Sequence, residues 1–131
     1  MPIEPGLTYE HRFEVTDALA TDVGGSIDNH VLATPRMIGQ MEYTAMQAVW
    51  DQLPEDVTCV GFAVNIKHVA SAPVGGSCVS TATLTDVQDG RKLHFDVEVK
   101  YDGRTVGVGT HERRIIHLPT FEERNETGES A

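Results

Sequence analysis

Alternation of apolar and polar positions marks the strands of this chain, and a single stretch of helical period interrupts them. In residues 7–15 (LTYEHRFEV), Leu7, Tyr9, His11, Phe13 and Val15 point one way and the polar residues the other, as in a half-buried strand. Residues 16–33 are loop-like, with several Asp and Gly24-Gly25. Residues 35–53 follow a 100° period: Met37, Ile38, Met41, Ala45, Met46, Ala48, Val49 and Leu53 share one arc, with Arg36, Gln40, Tyr43, Thr44, Gln47 and Asp51 opposite. Thr34 suits the N-cap, Pro35 the first helical position, and Pro54 closes the helix. Gly39, costly inside a helix, suggests a close backbone approach there.

After the helix the chain reads as strands alone. Residues 58–71 place Val60, Phe62, Val64, Ile66, His68 and Ala70 on one face; residues 77–88, 91–101 and 104–118 follow, with Leu93, Phe95, Val97, Val99 and Tyr101 inward. Asp89-Gly90 and Asp102-Gly103 are hairpin signals. Residues 119–131 are polar and acidic and read as a loose tail. The order β-α-β-β-β-β predicts an α+β domain with one long helix on one antiparallel sheet. Bare sheet edges invite pairing, so a homodimer joined edge to edge is expected.

One position breaks the helix pattern. Glu42 lies inside the apolar arc, between Ile38, Val49 and Leu53. A charge facing a core is costly unless it has a partner or a task. The plain alternative is a carboxylate that reaches the rim and pairs with a base. His68 is equally misplaced, on the apolar face of its strand, and the two surfaces are predicted to meet. A carboxylate beside an imidazole in a dry cleft attacks a carbonyl or activates water. Thr34 is a third candidate, although eight residues of helix separate it from Glu42 by about 12 Å. A substrate, a late helix start or a partner subunit has to bring them to one site. Gly61 offers either a backbone N–H to an oxyanion or simply room for the helix. His111, Glu112, Arg113 and Arg114 form an ionisable run, by default an ion-paired surface strand and alternatively a phosphate or substrate contact, with Glu112 and Arg114 on one face and His111 and Arg113 on the other.

Composition narrows the function. The chain of 131 residues has a net charge of −10, which argues against nucleic acid as a partner. Residues 1–60 hold two Lys/Arg and ten Asp/Glu; residues 61–131 hold eight and ten, so an anionic ligand would meet its cations in the second half. No apolar run is long enough for a membrane span, and the N-terminus has no signal-peptide core. Cys59 and Cys78 lack metal-ligand spacing and read as buried free thiols in a reducing cytoplasm. No metal cluster, nucleotide fingerprint or nucleophile elbow is present.

The stretches VLATPRMIGQMEYTAMQAVW (31–50), VGFAVNIKHVASAPVGG (60–76), DGRKLHFDVEV (89–99) and GTHERRIIHL (109–118) resemble the hotdog-fold thioesterases related to fluoroacetyl-CoA thioesterase. The resemblance spans roughly residues 7–121, leaving residues 122–131 as a polar C-terminal tail outside the single domain 1–121. It implies a five-stranded antiparallel sheet wrapped on the helix, a homodimer or dimer of dimers, and acyl-CoA hydrolysis without cofactor or metal. Carried over, Thr34 is the active-site threonine, Glu42 the catalytic carboxylate, His68 the acid/base partner, Gly61 the donor to the carbonyl oxygen, and Arg113 the arginine of GTHER. The fluoroacetyl-specific enzyme bears a phenylalanine lid before the threonine; here GGSIDNHVLA (24–33) has no Phe, which favours a general small or medium acyl-CoA substrate. Polyanionic CoA would need cations such as Lys67, Arg91 or Lys92. Two rivals remain: a non-enzymatic acyl-CoA-binding module, and an enoyl-CoA hydratase, whose Asp and His five positions apart at the helix start find no match in Thr34–Gln40.

Overall fold

The computed structural model describes residues 3–128, with the backbone alone for residues 26–29. In chain order it contains β1 (Thr8–Glu14), a single 3-10 turn (Asp17–Leu19), β2 (Ala20–Val23), β3 (Ser26–Leu32), α1 (Thr34–Trp50), β4 (Val57–His68), β5 (Ser77–Gln88), β6 (Lys92–Tyr101), β7 (Arg104–His117) and α2 (Leu118–Thr127). One antiparallel sheet runs β1-β5-β6-β7-β4 and wraps α1, which is the expected hotdog arrangement. Met37, Met41, Ala45 and Val49 from α1 join Cys78, Ala82, Leu84, Leu93, Phe95, Val97, Val99 and Val106 in the core. The alternation predicted for β6 holds: Leu93, Phe95, Val97 and Val99 are all buried.

The two predicted hairpins form as the dipeptides dictate. Asp89 and Gly90 both have positive φ (57° and 63°), as do Asp102 and Gly103 (52° and 75°). Asp102-Gly103 is a two-residue connection between Tyr101 and Arg104, whereas Asp89-Gly90 is joined by Arg91 in a three-residue one between Gln88 and Lys92.

Six local expectations change. The loop predicted over 16–33 contains the β2–β3 hairpin, tied down where Leu32 N–H donates to the Ala72 carbonyl at 2.8 Å. The lid stretch 24–33 therefore runs mostly along β3; the side chains of residues 26–29 lie outside those described. The stretch predicted as a loose tail starts with α2, which has Pro119 in its first turn and a left-handed Gly128 at its end; residues 129–131 lie outside those described.

The helix α1 ends at Trp50, so Leu53 lies beyond it. Thr44, placed on the polar arc, is fully buried, and its hydroxyl lies 2.6 Å from the Gln40 carbonyl and 2.8 Å from Ser80 Oγ. A satisfied hydroxyl can enter a core where a charge cannot.

The close approach expected at Gly39 lies elsewhere. A Cβ on Gly39 would meet nothing within 4 Å, whereas one on Gly107 of β7 would collide with the Met37 and Met41 side chains. The absent side chain that seats α1 thus belongs to the sheet.

The sixth change positions the site. The β4–β7 ladder pairs Gly61 with Arg113 and Ala63 with Glu112, leaving Phe62 as an extra residue in a β-bulge. One inserted residue reverses the side-chain phase. Cys59 and Gly61 precede the bulge on the face toward α1; Val64, Ile66 and His68 follow it on that same face. Val60 and Phe62 do not share it, contrary to simple alternation. Phe62 is 59% exposed and packs its ring under the Arg114 guanidinium, 3.6 Å from centroid to Cζ.

Candidate active site

Thr34 opens α1, and His68 closes β4. The N-cap of α1 is Ala33, with no side-chain cap, so the Thr34 hydroxyl is released from the capping role expected of it. Its oxygen instead lies 2.7 Å from His68 Nδ1. Burial lowers the His68 pKa below the ordinary 6.5, with the Ala70 backbone acting in the opposite direction. A neutral imidazole is therefore favoured near pH 7. Its Nε2 is buried and has no hydrogen-bond partner among the described residues. In the tautomer whose Nδ1–H donates to Thr34, that bare nitrogen is a base.

A second group gathers around Gly61. A Cβ there would lie 2.5 Å from Glu42 Oε2, 3.5 Å from His111 Cε1 and 3.7 Å from Arg113 Nη1. The glycine thus holds open the space into which three ionisable side chains converge. His111 is 2% exposed; its ring is fixed by the Ala63 carbonyl on Nδ1 (2.9 Å) and Arg113 Nη1 on Nε2 (3.2 Å). Those two bonds define the neutral form, donating from Nδ1 and accepting at Nε2. Burial is the main cause of its lowered pKa; Arg113 lowers it further, while the Ala63 carbonyl and Glu42 act to raise it.

Arg113 is 6% exposed and donates Nε–H to Cys59 Sγ (3.1 Å) and Nη2 to the Cys59 carbonyl (3.0 Å). Among the described residues no carboxylate pairs with it within 4 Å. A cavity of about 200 Å³ lies over Glu42, Gly61, Phe62, Val64 and His111. Cys59 and Cys78 are free and buried, as expected.

Glu42 and His68 do not share this cavity within one chain. Gly61, beside Glu42, and His68 stand toward opposite ends of β4, about 20 Å apart at the rise of an extended strand. The structure therefore brings together Thr34 with His68, and Glu42 with Gly61, His111 and Arg113. His111 is the residue that sequence reasoning missed. Its place in a charged run suggested a surface strand, and that holds for one face only, where Glu112 pairs with Arg114. Period two had already sent His111 and Arg113 to the other face, the one that α1 covers.

The three expected CoA cations also separate. Lys92 pairs with Asp89 at 3.8 Å, and Lys67 sits on β4 next to His68, away from Arg91, which lines a pocket by α2.

Residues 15–118 match the fluoroacetyl-CoA-specific thioesterase family. The chain belongs to that family. A fluoroacetyl-CoA thioesterase from Streptantibioticus cattleyicolor is 36% identical over 91 residues, covering 70% of this chain and 65% of the relative, just under two thirds of its length. A substituted form of the fluoroacetyl-CoA thioesterase, solved with acetyl-CoA, superposes with a TM-score of 0.86 at 27% identity, over 96% of this chain and 98% of that one. A thioesterase superfamily member from Thermus thermophilus gives 0.86 at 25% identity, over 96% and 93%. Membership of the thioesterase family thus agrees with the hotdog arrangement of α1 and the sheet. No helix among the described residues is long and apolar enough to cross a membrane.

Proposed function

We propose that this protein hydrolyses small or medium acyl-CoA thioesters as a homodimer whose active sites are completed across the β4 edges. The observation that carries the reading is the 2.7 Å pairing of Thr34 with a His68 whose second nitrogen is bare. Family membership supplies the reaction class.

The dimer answers the separation of Glu42 from His68. β4 is a sheet edge that carries exposed Phe62 and Val64, and such an edge needs a cover. Antiparallel two-fold pairing of two β4 strands, centred on Asn65 and with the bulged Phe62 taking up the extra residue, would set Gly61 of one protomer opposite His68 of its partner. Glu42 would then meet the Thr34–His68 pair of the other protomer, and each dimer would have two composite sites.

In such a site the thioester carbonyl lies between Glu42 and His68. The Thr34 hydroxyl and the Gly61 N–H donate to the carbonyl oxygen as charge develops on it. Glu42 attacks the carbonyl carbon or directs a water to it. A C–O bond forms as the C–S bond breaks; neutral His68 takes a proton from the water, whether that water attacks the thioester or afterwards the Glu42 anhydride, and passes it to the CoA thiolate. Water is consumed overall, yielding the free acid and CoA thiol. Arg113 and His111 line the same space beside Gly61 as the Glu42 carboxylate.

A cytoplasmic location is part of the proposal, supported by two free buried thiols. A panel of acyl-CoA thioesters with free-thiol detection tests the activity. Release that falls by orders of magnitude in Glu42→Gln and His68→Ala supports the mechanism; rates like the wild type in both dispose of it.

A further inference from the structure

A second cavity, of about 350 Å³, opens on the outer face of the sheet between β4, the end of β7 and α2. Its walls carry Arg91, Arg114, Arg124 and His117, with Phe62 and Phe121 as the flat apolar surfaces. Among the described residues no carboxylate lines it, in a chain of net charge −10. The nearest acidic groups are engaged at its margins: Glu112 with Arg114, and Asp56 with His117 at 3.3 Å. Among the described residues neither Arg91 nor Arg124 pairs with a carboxylate within 4 Å. Both guanidinium groups are exposed on different elements, at the β5–β6 turn and on α2, and line one cavity.

Phe62 ties this cavity to the site. The same bulged residue lines both this pocket and the one over Glu42, Gly61 and His111. A ligand that enters the Glu42 cavity past Phe62 therefore has its outer end in the cationic pocket.

We infer that this pocket receives the phosphorylated adenosine of CoA, with Arg91 and Arg124 on its phosphates and the purine against Phe62 or Phe121. The inference rests on the acyl-CoA reading above. Arginine forks match phosphate geometry, and purines stack on aromatic faces. Arg114 is already committed to Glu112 and to the Phe62 ring, so it fixes that wall.

The test compares Arg91→Ala/Arg124→Ala with the wild type on two substrates: an acyl-CoA and the matching S-acyl-N-acetylcysteamine, which lacks the nucleotide. The loss in kcat/KM is expected to be at least tenfold larger for the acyl-CoA, and to reside in KM. Equal losses on the two substrates, or none on either, overturn the assignment. A second arm titrates adenosine 3′,5′-bisphosphate by calorimetry. Binding that competes with acyl-CoA and is lost in the double variant supports the site. Absent binding, binding retained in the double variant, or binding that does not compete, as at a separate nucleotide site, overturns it. If no thioester is hydrolysed at all, the catalytic reading fails on its own, and the calorimetric arm still decides the pocket.

Discussion

The Thr34 hydroxyl and His68 Nδ1 stand 2.7 Å apart, joining the first turn of the helix to the last residue of β4. Because Ala33 takes the N-cap position, this contact costs the helix no cap. Thr34→Ala is expected to lower kcat by roughly 10²-fold, in the range typical of a lost acid/base partner, and to leave the melting temperature nearly unchanged. Thr34→Ser, which keeps the hydroxyl, is expected to retain most of the activity. Equal rates for Thr34→Ala and wild type in the free-thiol assay would remove Thr34 from the chemistry.

Gly61 separates its structural role from a merely permissive one. A methyl group there would sit 2.5 Å from Glu42 Oε2, the far end of a side chain that can swing away. Gly61→Ala is therefore expected to fold, with a stability loss of about 1 kcal/mol or less, typical of a change the structure absorbs locally. Its kcat should fall by at least tenfold, because the displaced carboxylate leaves the productive geometry. Urea unfolding together with steady-state kinetics reads both quantities. A large loss of stability with normal turnover would contradict the argument.

Much of this architecture is legible in the sequence because local chemistry and tertiary need agree. The β6 alternation matches a strand with one face on the core, and Asp-Gly pairs supply the left-handed residues of both hairpins. Glu42 was conspicuous because a helix period exposes a misplaced charge. The β4 bulge was not, because Cys59, Val60, Phe62, Ala63 and Val64 are apolar in either phase, so an inserted residue leaves no trace in the pattern. The β2–β3 hairpin and α2 are short and polar, and no buried side chain is found in α2, so periodicity had little to detect. His111 was masked by charged neighbours whose side chains face the other way.

His111 also predicts a pH dependence of stability. Burial holds its folded pKa below the ordinary 6.5, so as pH falls through that value the unfolded chain takes up a proton that the folded chain refuses. The stabilising contribution is complete above 6.5 and is lost as pH drops toward the folded value. His111→Gln, which keeps donor and acceptor capacity, should flatten the rise of melting temperature between about pH 5 and 7. His68 contributes with the same sign, so the informative quantity is the difference between variant and wild type. Parallel curves for the two proteins would show that His111 does not titrate in this way.

The composite site makes a prediction that no single-chain site shares. Suppose Glu42 of one protomer works with His68 of its partner. Homodimers of Glu42→Gln then have two dead sites, and so do homodimers of His68→Ala. A mixed dimer is different: one of its sites collects both lesions, and the other collects neither. Unfolding the two inactive proteins together and refolding them at equal concentration gives mixed dimers as about half of the population, each with one intact site of two, so activity should return to about a quarter of wild type. If Glu42 and His68 of the same chain formed each site, every site in the mixture would carry one lesion and no activity would return. Free-thiol release before and after co-refolding, with each variant refolded alone as the control, therefore decides where the carboxylate comes from. Failure to recover activity, with mixed dimers demonstrated by differential tagging, would place both groups of a site on one chain and remove the β4 edge from the mechanism.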